Sequence, residues 1–393
     1  MMERNEHIQR LTAEAVDLLM EMVAIPSPSF SESAVCDHIS EWMSVRGMVH
    51  ERIGNNIVAE HITDPSKPTL MLCAHIDTVN PSEGYGFDPY EPHYDVAADV
   101  IGQMTGQDVG PDDIVAGLGS NDDGASVVAM MAAYRYFCSQ GAPQTTANII
   151  LVLSCEEERS GRNGMTGLWG RRLCSRKEYV ADGGAGIPEG CTPVDFAIVG
   201  EPTGMKAATA ERGLLVIDAT AHGVSGHAAR NEGENALYIA LEDISRLQKH
   251  EFGKVSARMG KVNLNVTQIS AGTAHNVIPD RCDFVIDIRP TEQYTNEELM
   301  VELQAICRSE LKARNLANRS SATFEDSPLQ RAAEMLGIET FSSPTTSDWM
   351  RITCDAVKMG PGESSRSHRR NEFVFVREIE EGIETYINYI NHL

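Results

Sequence analysis

Three short apolar segments of this chain end in side chains that can bind a metal ion, and this pattern constrains the fold more than any other feature. The segments are residues 70–74, 148–153 and 196–199. Apart from Asn148 at the start of the second segment, each is a continuous apolar run of strand length, which is typical of a strand buried on both faces of a sheet. Because open α/β sheets bind ligands at the carboxyl ends of their strands, the pattern predicts an α/β domain with a site at that edge.

The first segment leads into His75 and Asp77. Side chains at i and i+2 of a strand lie on the same face, so the Asp77 carboxylate can hold one ring nitrogen of His75 and leave the other free for a metal ion. A strand with a chance polar end is the ordinary alternative for such a pair. The acidic clusters farther along the chain favour the metal site.

Acidic side chains also occupy three later positions, two of them shortly after the other apolar segments. Glutamates 156–158 follow the second segment, and Glu201 follows the third. A solvated turn would accommodate the three adjacent carboxylates, whereas a divalent ion would neutralise their repulsion. Asp122 and Asp123 follow a glycine-rich segment and directly precede an apolar helix, so one of them can cap the helix while the other binds a metal ion.

A candidate ligand set therefore consists of His75, Asp122, Glu158, Glu201 and a late histidine, His368. Two histidines and three carboxylates suit two Zn²⁺-like ions if one carboxylate bridges them. Two such ions lower the pKa of a water molecule and polarise a carbonyl group. A further carboxylate must take the proton of that water and pass it to a leaving amine, and Glu157 is the candidate.

The charge and the cysteines narrow the class of protein. The formal net charge of −24 argues against nucleic acid or an anionic membrane as a partner. The nine cysteines are scattered without a C-x-x-C pair, which suits a reducing compartment. The N-terminus has no signal-peptide apolar region, and no uncharged apolar stretch approaches membrane-spanning length. We therefore expect a cytoplasmic protein that binds neither nucleic acid nor membrane.

The length and the order of elements predict two domains. At 393 residues the chain is too long for one ordinary core. From about residue 206 the predicted order is β-α-β-β-α, with a last helix over 296–311, as in a small α+β layer. We expect an inserted domain over 206–316 and a first domain formed by 1–205 and 317–393. Residues 80–116 are predicted to form a turn-rich loop that either shapes a substrate cleft or is a variable surface insertion.

Taken together, these motifs resemble those of the M20 metallopeptidase and deacylase family, which includes acetylornithine deacetylase, succinyl-diaminopimelate desuccinylase and carboxypeptidase G. The resemblance covers nearly the whole chain. It rests on His-x-Asp at 75–77, Gly-x-Gly-x-x-Asp-Asp at 117–123, Glu-Glu at 157–158 with glycines behind, Gly-Glu-Pro-Thr at 200–203, and the block from Gly360 to Glu372 that contains His368. Two departures are Gly124, where most deacylases have Lys, and the long segment 80–116.

The resemblance implies a fold and a metal site. The fold is a zinc-peptidase-like α/β catalytic domain with a mixed central sheet flanked by helices, plus an inserted ferredoxin-like α+β domain that serves as lid and dimerisation domain. The cofactors are two divalent ions, with zinc expected first and cobalt or manganese possible. His75 and Glu201 would bind one ion, Glu158 and His368 the other, and Asp122 would bridge them. The family also has a cis peptide bond after its bridging aspartate, here between residues 122 and 123.

Further roles follow from the same resemblance. Asp77 would orient His75, and Glu157 would be the general base and acid. His227 lies in a segment that resembles the family's Gly-x-x-Gly-His-Ser, and it would stabilise the developing oxyanion in the active site of the partner subunit of a homodimer. A surface histidine in a glycine-rich turn is the alternative. The predicted substrate-binding residues are Asn276, Arg289 and, with weaker matches, Arg212 and Thr346.

The activity that the resemblance implies is hydrolysis of a linear amide. We expect removal of the acyl group from a small N-acyl amino acid, with acetylornithine as the first candidate. N-succinyl ornithine, an N-succinyl or N-acetyl citrulline and succinyl-diaminopimelate are close alternatives. A dipeptidase, tripeptidase or carboxypeptidase of the same fold is the runner-up. A non-catalytic relative is disfavoured because all five ligands and the base are present.

Overall fold

The computed structural model describes residues 2–91, 94–139, 145–180, 186–230 and 232–393, and it divides into two compact units. The first unit comprises Met1–Thr209, Thr323–Phe341 and Ser347–Leu393. The second comprises Ala210–Ala322 and Ser342–Thr346. Two predicted roles stay predictions: catalysis by the domain formed by 1–205 and 317–393, and dimerisation by the inserted domain 206–316.

Regular structure fills most of both units. Among the described residues the α-helices are α1 (Met2–Val23), α2 (Ser33–Val45), α3 (Tyr94–Thr105), α4 (Ala125–Cys138), α5 (Met165–Leu168), α6 (Arg176–Val180), α7 (Ala236–Lys249), α8 (Asn296–Ile306), α9 (Pro328–Leu336) and α10 (Val376–Asn391). The strands are β1 (Glu51–Ile53), β2 (Asn56–His61), β3 (Thr69–His75), β4 (Ile114–Ala116), β5 (Asn148–Ser154), β6 (Leu173–Ser175), β7 (Thr192–Val194), β8 (Phe196–Val199), β9 (Ala207–Glu211), β10 (Leu215–His222), β11 (Gly226–His227), β12 (Asn263–Ala271), β13 (Val277–Ile278), β14 (Arg281–Arg289), β15 (Glu310–Ala313), β16 (Ser321–Ala322), β17 (Thr340–Ser343), β18 (Asp355–Lys358) and β19 (Phe373–Phe375).

A mixed sheet with the order β1-β2-β5-β3-β8-β18-β9 forms the centre of the first unit. Strands β5, β3, β8 and β18 are parallel neighbours, whereas β1, β2 and β9 run antiparallel to the strands beside them. All residues of β3 and β5 are buried, which explains why both read as continuous apolar runs. The predicted α/β class with a mixed central sheet is confirmed.

Helices cover one face of this sheet, and α4 lies at the centre of that layer. The core on this side combines apolar residues of α1, α2, α4 and α10 with the inward side chains of the strands. Every residue of α4 from Ala125 to Tyr134 is buried. A helix that is apolar on all sides belongs in a core, and α4 follows that rule. On the opposite face, Trp349 packs with apolar residues of β3, β5 and β8.

The segment 80–116 differs from the predicted loop because it contains the helix α3 and the strand β4. Ala97, Ala98 and Ile101 of α3 pack in a separate small core with Phe87 and with aromatic residues of β19. The spacing of these apolar residues is helical, but the flanking prolines and glycines obscured it at the level of sequence. Residues 92 and 93 of this segment, and the side chain of Tyr94, lie outside the described residues.

The second unit is an antiparallel sheet with the order β12-β14-β10-β15, packed against α7 and α8 around one core. The predicted helix over 296–311 is wrong in its second half, since α8 ends at Ile306 and residues 310–313 form the edge strand β15. Exposed Glu310 and Lys312 alternate there with buried Leu311, which is a strand period. The order is therefore β-α-β-β-α-β, and the predicted ferredoxin-like α+β layer is confirmed.

No helix of the described residues is long and apolar enough to cross a membrane. The nine cysteines are all unpaired.

Candidate metal centre

The carboxyl ends of neighbouring parallel strands bring the predicted metal ligands together. His75 is the last residue of β3, Glu157 and Glu158 follow β5, and Glu201 follows β8. Because β3 pairs with both β5 and β8, these side chains emerge at one edge of the sheet. The segment after β18 contributes His368 to the same edge.

His75 is held so that one ring nitrogen faces the other predicted ligands. Its Nδ1 donates a hydrogen bond to the backbone carbonyl of Asp77 at 2.9 Å, and the Asp77 carboxylate lies 3.5 Å from the same nitrogen. Its Nε2 lies 3.2 Å from Oδ1 of Asp122. A histidine fixed through Nδ1 presents Nε2 to a metal ion. The sequence predicts that the Asp77 carboxylate holds this nitrogen, whereas the shorter contact is with the Asp77 backbone carbonyl.

The Asp77 carboxylate also holds the turn that carries Glu157 and Glu158. Its Oδ1 accepts the N–H of Glu157 at 2.9 Å, and its Oδ2 accepts the N–H of Glu158 at 3.1 Å. The hydroxyl of Ser29 donates to Oδ2 at 2.6 Å. Burial alone would raise the pKa of Asp77, but the contacts with His75, Ser29 and these amides lower it, so the carboxylate stays charged.

The two carboxylate oxygens of Asp122, the predicted bridging ligand, lie near two different histidines. Its Oδ1 faces Nε2 of His75 at 3.2 Å, and its Oδ2 faces Nε2 of His368 at 3.6 Å. His368 in turn donates to Oε1 of Glu158 at 2.9 Å. The two oxygens of one carboxylate therefore point at two different histidines, which is the geometry that sharing one carboxylate between two ions requires.

Two groups of ligand atoms are compact enough to hold an ion. One is formed by His75, Glu157 and Glu201, and the other by His75, Asp122 and Glu158, with the atoms of each group within 4.8 Å of one another. Imidazole nitrogens and carboxylate oxygens in this number fit zinc and related divalent ions. The individual ligand roles stay predictions.

The pKa values of the centre reflect burial of many acidic groups in one place. Burial, together with neighbouring carboxylates, raises the pKa of Glu157 and of Glu201 well above the ordinary value. The hydrogen bond to Glu158 raises the pKa of His368 to about 9. Burial would lower the pKa of His75, but its contacts with Asp122 and Asp77 raise it. Without cations the centre therefore takes up protons to balance its charge.

Glu372 supports the turn that presents Asp122, a role that sequence reasoning missed although Glu372 belongs to a recognised motif. One oxygen of this buried carboxyl group accepts the backbone N–H groups of Asn121 and Asp122 at 3.1 and 2.9 Å.

The peptide bond between Asp122 and Asp123 is cis, as expected. The residue that precedes α4 is Gly124, without a side-chain cap, so neither aspartate caps the helix.

Two further carboxyl groups of the centre had no assigned role in the sequence. Asp348 is buried and accepts the hydroxyl hydrogen bond of Ser154 at 2.6 Å, and burial raises its pKa to about 6. Glu156 accepts the backbone and side-chain N–H groups of Asn163 at 3.0 and 2.6 Å, so the first of the three adjacent glutamates closes the turn rather than binding a metal ion. No local sequence pattern indicates Asp348.

Segment 80–91 contacts the loop that carries His368. The hydroxyl of Ser82 donates to the His368 carbonyl at 3.3 Å, and that of Tyr85 donates to the Arg369 carbonyl at 3.1 Å. The N–H of Gly86 donates to Oδ1 of Asn371 at 2.6 Å. These contacts favour a role in shaping the metal centre over a variable surface insertion.

The remaining predicted site residues lie in the second unit. His227 is exposed on β11, where its Nδ1 accepts the N–H of Ala229 at 3.2 Å, and Asn276 is exposed near the paired strand β13. Arg289 pairs with Asp287 through contacts of 2.9 and 3.2 Å. Thr346 is half-buried. Their predicted roles toward substrate stay predictions.

Arg212 contacts backbone rather than carboxylate groups. Its guanidinium donates to the carbonyl oxygens of Lys261 at 3.0 Å and Arg289 at 3.1 Å, and also to that of Met259. Burial lowers its pKa. With its donors used in this way, Arg212 holds the backbone beside Arg289, and its predicted contact with substrate stays a prediction.

The metal-free protein should lose stability as the pH rises from about 5 to about 8. Burial raises the pKa of Asp123 and of Glu372 to about 8, so the folded state binds more protons than the unfolded state in this range. The raised pKa of His368 acts in the same direction, because the stability it contributes is lost as the pH rises through about 9. The lowered pKa of Asp77 affects stability only near and below its ordinary value of 3.8, outside this range.

Zinc should reverse this trend, because ligands bind the ion in their deprotonated form. We expect added Zn²⁺ to raise the melting temperature more at pH 8 than at pH 5, measured by calorimetry on chelator-treated protein. A melting temperature that does not respond to zinc at either pH would contradict the assignment of the centre as a metal site.

Comparison with known proteins shows which families and structures the chain is similar to. A model of the M20 peptidase dimerisation domain matches residues 209–315, and a model of peptidase family M28 matches residues 56–177. The chain is 25% identical to a succinyl-diaminopimelate desuccinylase of Halorhodospira halophila, over 96% of this chain and 98% of the relative. It is 24% identical to a probable carboxypeptidase of Emericella nidulans, over 94% of this chain and 87% of the relative.

Solved structures agree with these sequence matches. An M20 metallo-carboxypeptidase from Sulfolobus solfataricus superposes with a TM-score of 0.70 at 15% identity, covering 96% of this chain and 98% of that one. A dinuclear metal-binding M20 peptidase from Bacillus subtilis superposes with a TM-score of 0.66 at 15% identity, covering 98% of both chains. The resemblance drawn from the motifs is confirmed: these matches support an M20 family metallopeptidase or deacylase, which is a metal-dependent hydrolase.

Proposed function

We propose that this hydrolase removes the acyl group from a small N-acyl amino acid, with two divalent ions held by His75, Asp122, Glu158, Glu201 and His368. The observation that carries the proposal is the placement of the two Asp122 oxygens toward two different histidines, at 3.2 and 3.6 Å. The Bacillus subtilis M20 peptidase, which is described as dinuclear, supports the number of ions. Zinc is the first expectation for this donor set, with cobalt or manganese as alternatives.

The bound ions would supply Lewis-acid polarisation of the scissile carbonyl and would lower the pKa of a water molecule. The protein residues supply the remaining chemistry. Glu157 lies beside His75 and Glu201 without the hydrogen bonds to backbone that fix Glu156. Its own backbone is fixed by Asp77, so its carboxylate is positioned to take a proton from the attacking water and deliver it to the leaving amine.

Replacement of Glu157 tests this assignment. We expect Glu157→Gln to retain two metal ions per chain and to lose activity by a factor of about 10² to 10⁴, because a general base is lost while the ligands remain. Metal content by mass spectrometry and kcat on an N-acyl amino acid are the measurements, and Glu41→Gln, at an exposed position of α2, is the matched control. Wild-type kcat in Glu157→Gln would remove this residue from the mechanism.

The substrate is proposed at the level of its class. Acetylornithine is the first candidate from the sequence resemblance, and succinyl-diaminopimelate gains support from the desuccinylase of Halorhodospira halophila. A carboxypeptidase activity is the second candidate function, favoured by the Emericella nidulans and Sulfolobus solfataricus proteins. All of these reactions cleave an amide bond, so the metal chemistry does not separate them.

A substrate panel separates these candidates. We expect the zinc-loaded enzyme to show a higher kcat/KM for N-acetyl or N-succinyl derivatives of ornithine, citrulline and diaminopimelate than for unmodified dipeptides and tripeptides. The amine released is quantified for every compound at equal concentration. If kcat/KM is higher for peptides with a free amino terminus, the deacylase proposal is wrong and the peptidase activity takes its place.

Homodimerisation through the second unit is part of the proposal. The family model that matches residues 209–315 describes a dimerisation domain. Among the described residues, β12 pairs only with β14, so it is an open edge, and its side chains are mostly exposed. An unpaired edge strand is a template for pairing with a second copy. His227 is then proposed to serve the metal centre of the partner subunit, and Arg289 and Asn276 to contact substrate.

Subunit mixing tests the proposed action of His227 across the dimer. His227→Ala and Glu157→Gln are each expected to be nearly inactive alone. After exchange of subunits, half of the dimers are mixed, and each mixed dimer has one complete site, so activity should return to about a quarter of the wild-type level. Exchange is verified by native mass spectrometry. If exchange occurs and no activity returns, His227 does not act across the dimer.

A further inference from the structure

A second cavity of the first unit, distinct from the metal centre, has a volume of about 370 Å³. It lies among α1, α2, α4 and the end of β2, and its lining includes His7, Arg10, Arg46, His61 and Arg135. Helix α4 has 14 residues, begins directly after the turn that contains Asp122, and ends at this cavity. The cavity and that turn are therefore separated by the helix length of about 21 Å.

The cavity carries a surplus of positive charge. Arg46 and Arg135 share a single carboxylate oxygen of Glu14, at 3.0 and 2.6 Å. Glu60 also lines the cavity, but it pairs with Arg172, outside the lining, at 2.8 Å. Within the part of the chain that the structure describes, Arg10 is exposed and has no carboxylate partner. The lining thus contains three guanidinium groups, of which two share one carboxylate and the third has none, in a chain whose net charge is −24.

Favourable interaction with a helix end explains the positions of Arg46 and Arg135 but not that of Arg10. Arg46 follows the last residue of α2, and Arg135 lies in the last turn of α4, where cations interact favourably with the partial negative charge of helix carbonyl groups. Arg10 lies in the middle of α1, where no such field exists. Interaction with a helix end therefore does not account for the position of Arg10 at this cavity.

Aromatic contacts hold part of the cluster in place. The guanidinium of Arg46 lies 3.8 Å from the centre of the Trp42 ring, and that of Arg135 lies 5.4 Å from it. Stacking of this kind orients a guanidinium before a ligand arrives, which lowers the entropy cost of binding.

His7 lies in surroundings that disfavour its charged form. Burial lowers the pKa of His7, and Arg10 and Arg135 lower it further, more than Glu14 raises it. The imidazole is therefore held in its neutral form, which can donate one hydrogen bond to an anion without adding charge.

We propose that this cavity binds a small organic anion, of the size of a phosphorylated or polycarboxylated metabolite, with its oxyanion on Arg10, Arg46 and Arg135. Guanidinium groups recognise phosphate and carboxylate oxygens through paired hydrogen bonds, and the volume falls within the range of small-molecule sites. Leu11 and Met48 line the same cavity and offer apolar contact to the body of the ligand.

Calorimetric titration of the metal-loaded protein tests the proposal with three probes: inorganic phosphate, adenosine 5′-monophosphate and tricarballylate, all at constant ionic strength. The phosphate probes and the tricarboxylate distinguish the two sources of anionic oxygen. Arg10→Gln removes the unpaired guanidinium from the cavity, whereas Arg171→Gln removes an exposed arginine of the same unit outside the lining and serves as the matched control.

Saturable binding of at least one probe is expected, about tenfold or more weaker in Arg10→Gln and unchanged in Arg171→Gln. Binding of a probe at the metal centre would be equal in both variants, so the comparison isolates the cavity. The proposal is overturned if none of the three probes binds saturably, or if the two variants bind every probe with the same affinity.

Discussion

The metal centre depends on a single buried carboxylate, that of Asp77. It lies beside His75, a predicted ligand at the end of β3, and it accepts the backbone N–H groups of Glu157 and Glu158 after β5. This side chain therefore lies against a predicted histidine ligand and fixes the backbone of a predicted acidic ligand and of the proposed base. Because hydrogen bonds to a charged acceptor in a buried site are strong, this arrangement limits how far the three groups can move apart.

The same edge of the sheet concentrates charge that the fold alone does not balance. Glu157, Glu201 and Asp348 are carboxyl groups whose pKa is raised by burial, and each lies at or near the ends of β5, β8 or the strands they pair with. Leaving buried carboxylates unpaired is costly, so such a cluster persists where cations neutralise it. The carboxylates at the strand ends therefore require positive charge nearby, and the divalent ions of the proposal would provide it.

Sequence predicted the parts of the structure that local patterns encode. His75, Glu158 and Glu201 were identifiable because each follows a buried strand, and the parallel pairing of those strands confirms that they share an edge. Asp348 was not identifiable, because its partner Ser154 is 194 positions away. Glu372 acts on the backbone of Asp122, 250 positions away, and no periodicity signals such a contact. Helix α3 and strand β15 were missed where turn residues or a short alternating run weakened the periodic signal.

The measurement that tests the central claim most directly is anomalous X-ray scattering from crystals of the zinc-loaded protein, recorded on both sides of the zinc absorption edge. The account predicts two anomalous peaks roughly 3.5–4 Å apart, with the Asp122 carboxylate between them and His75 and His368 on opposite sides. A single peak, or peaks that none of these three side chains contacts, would contradict it.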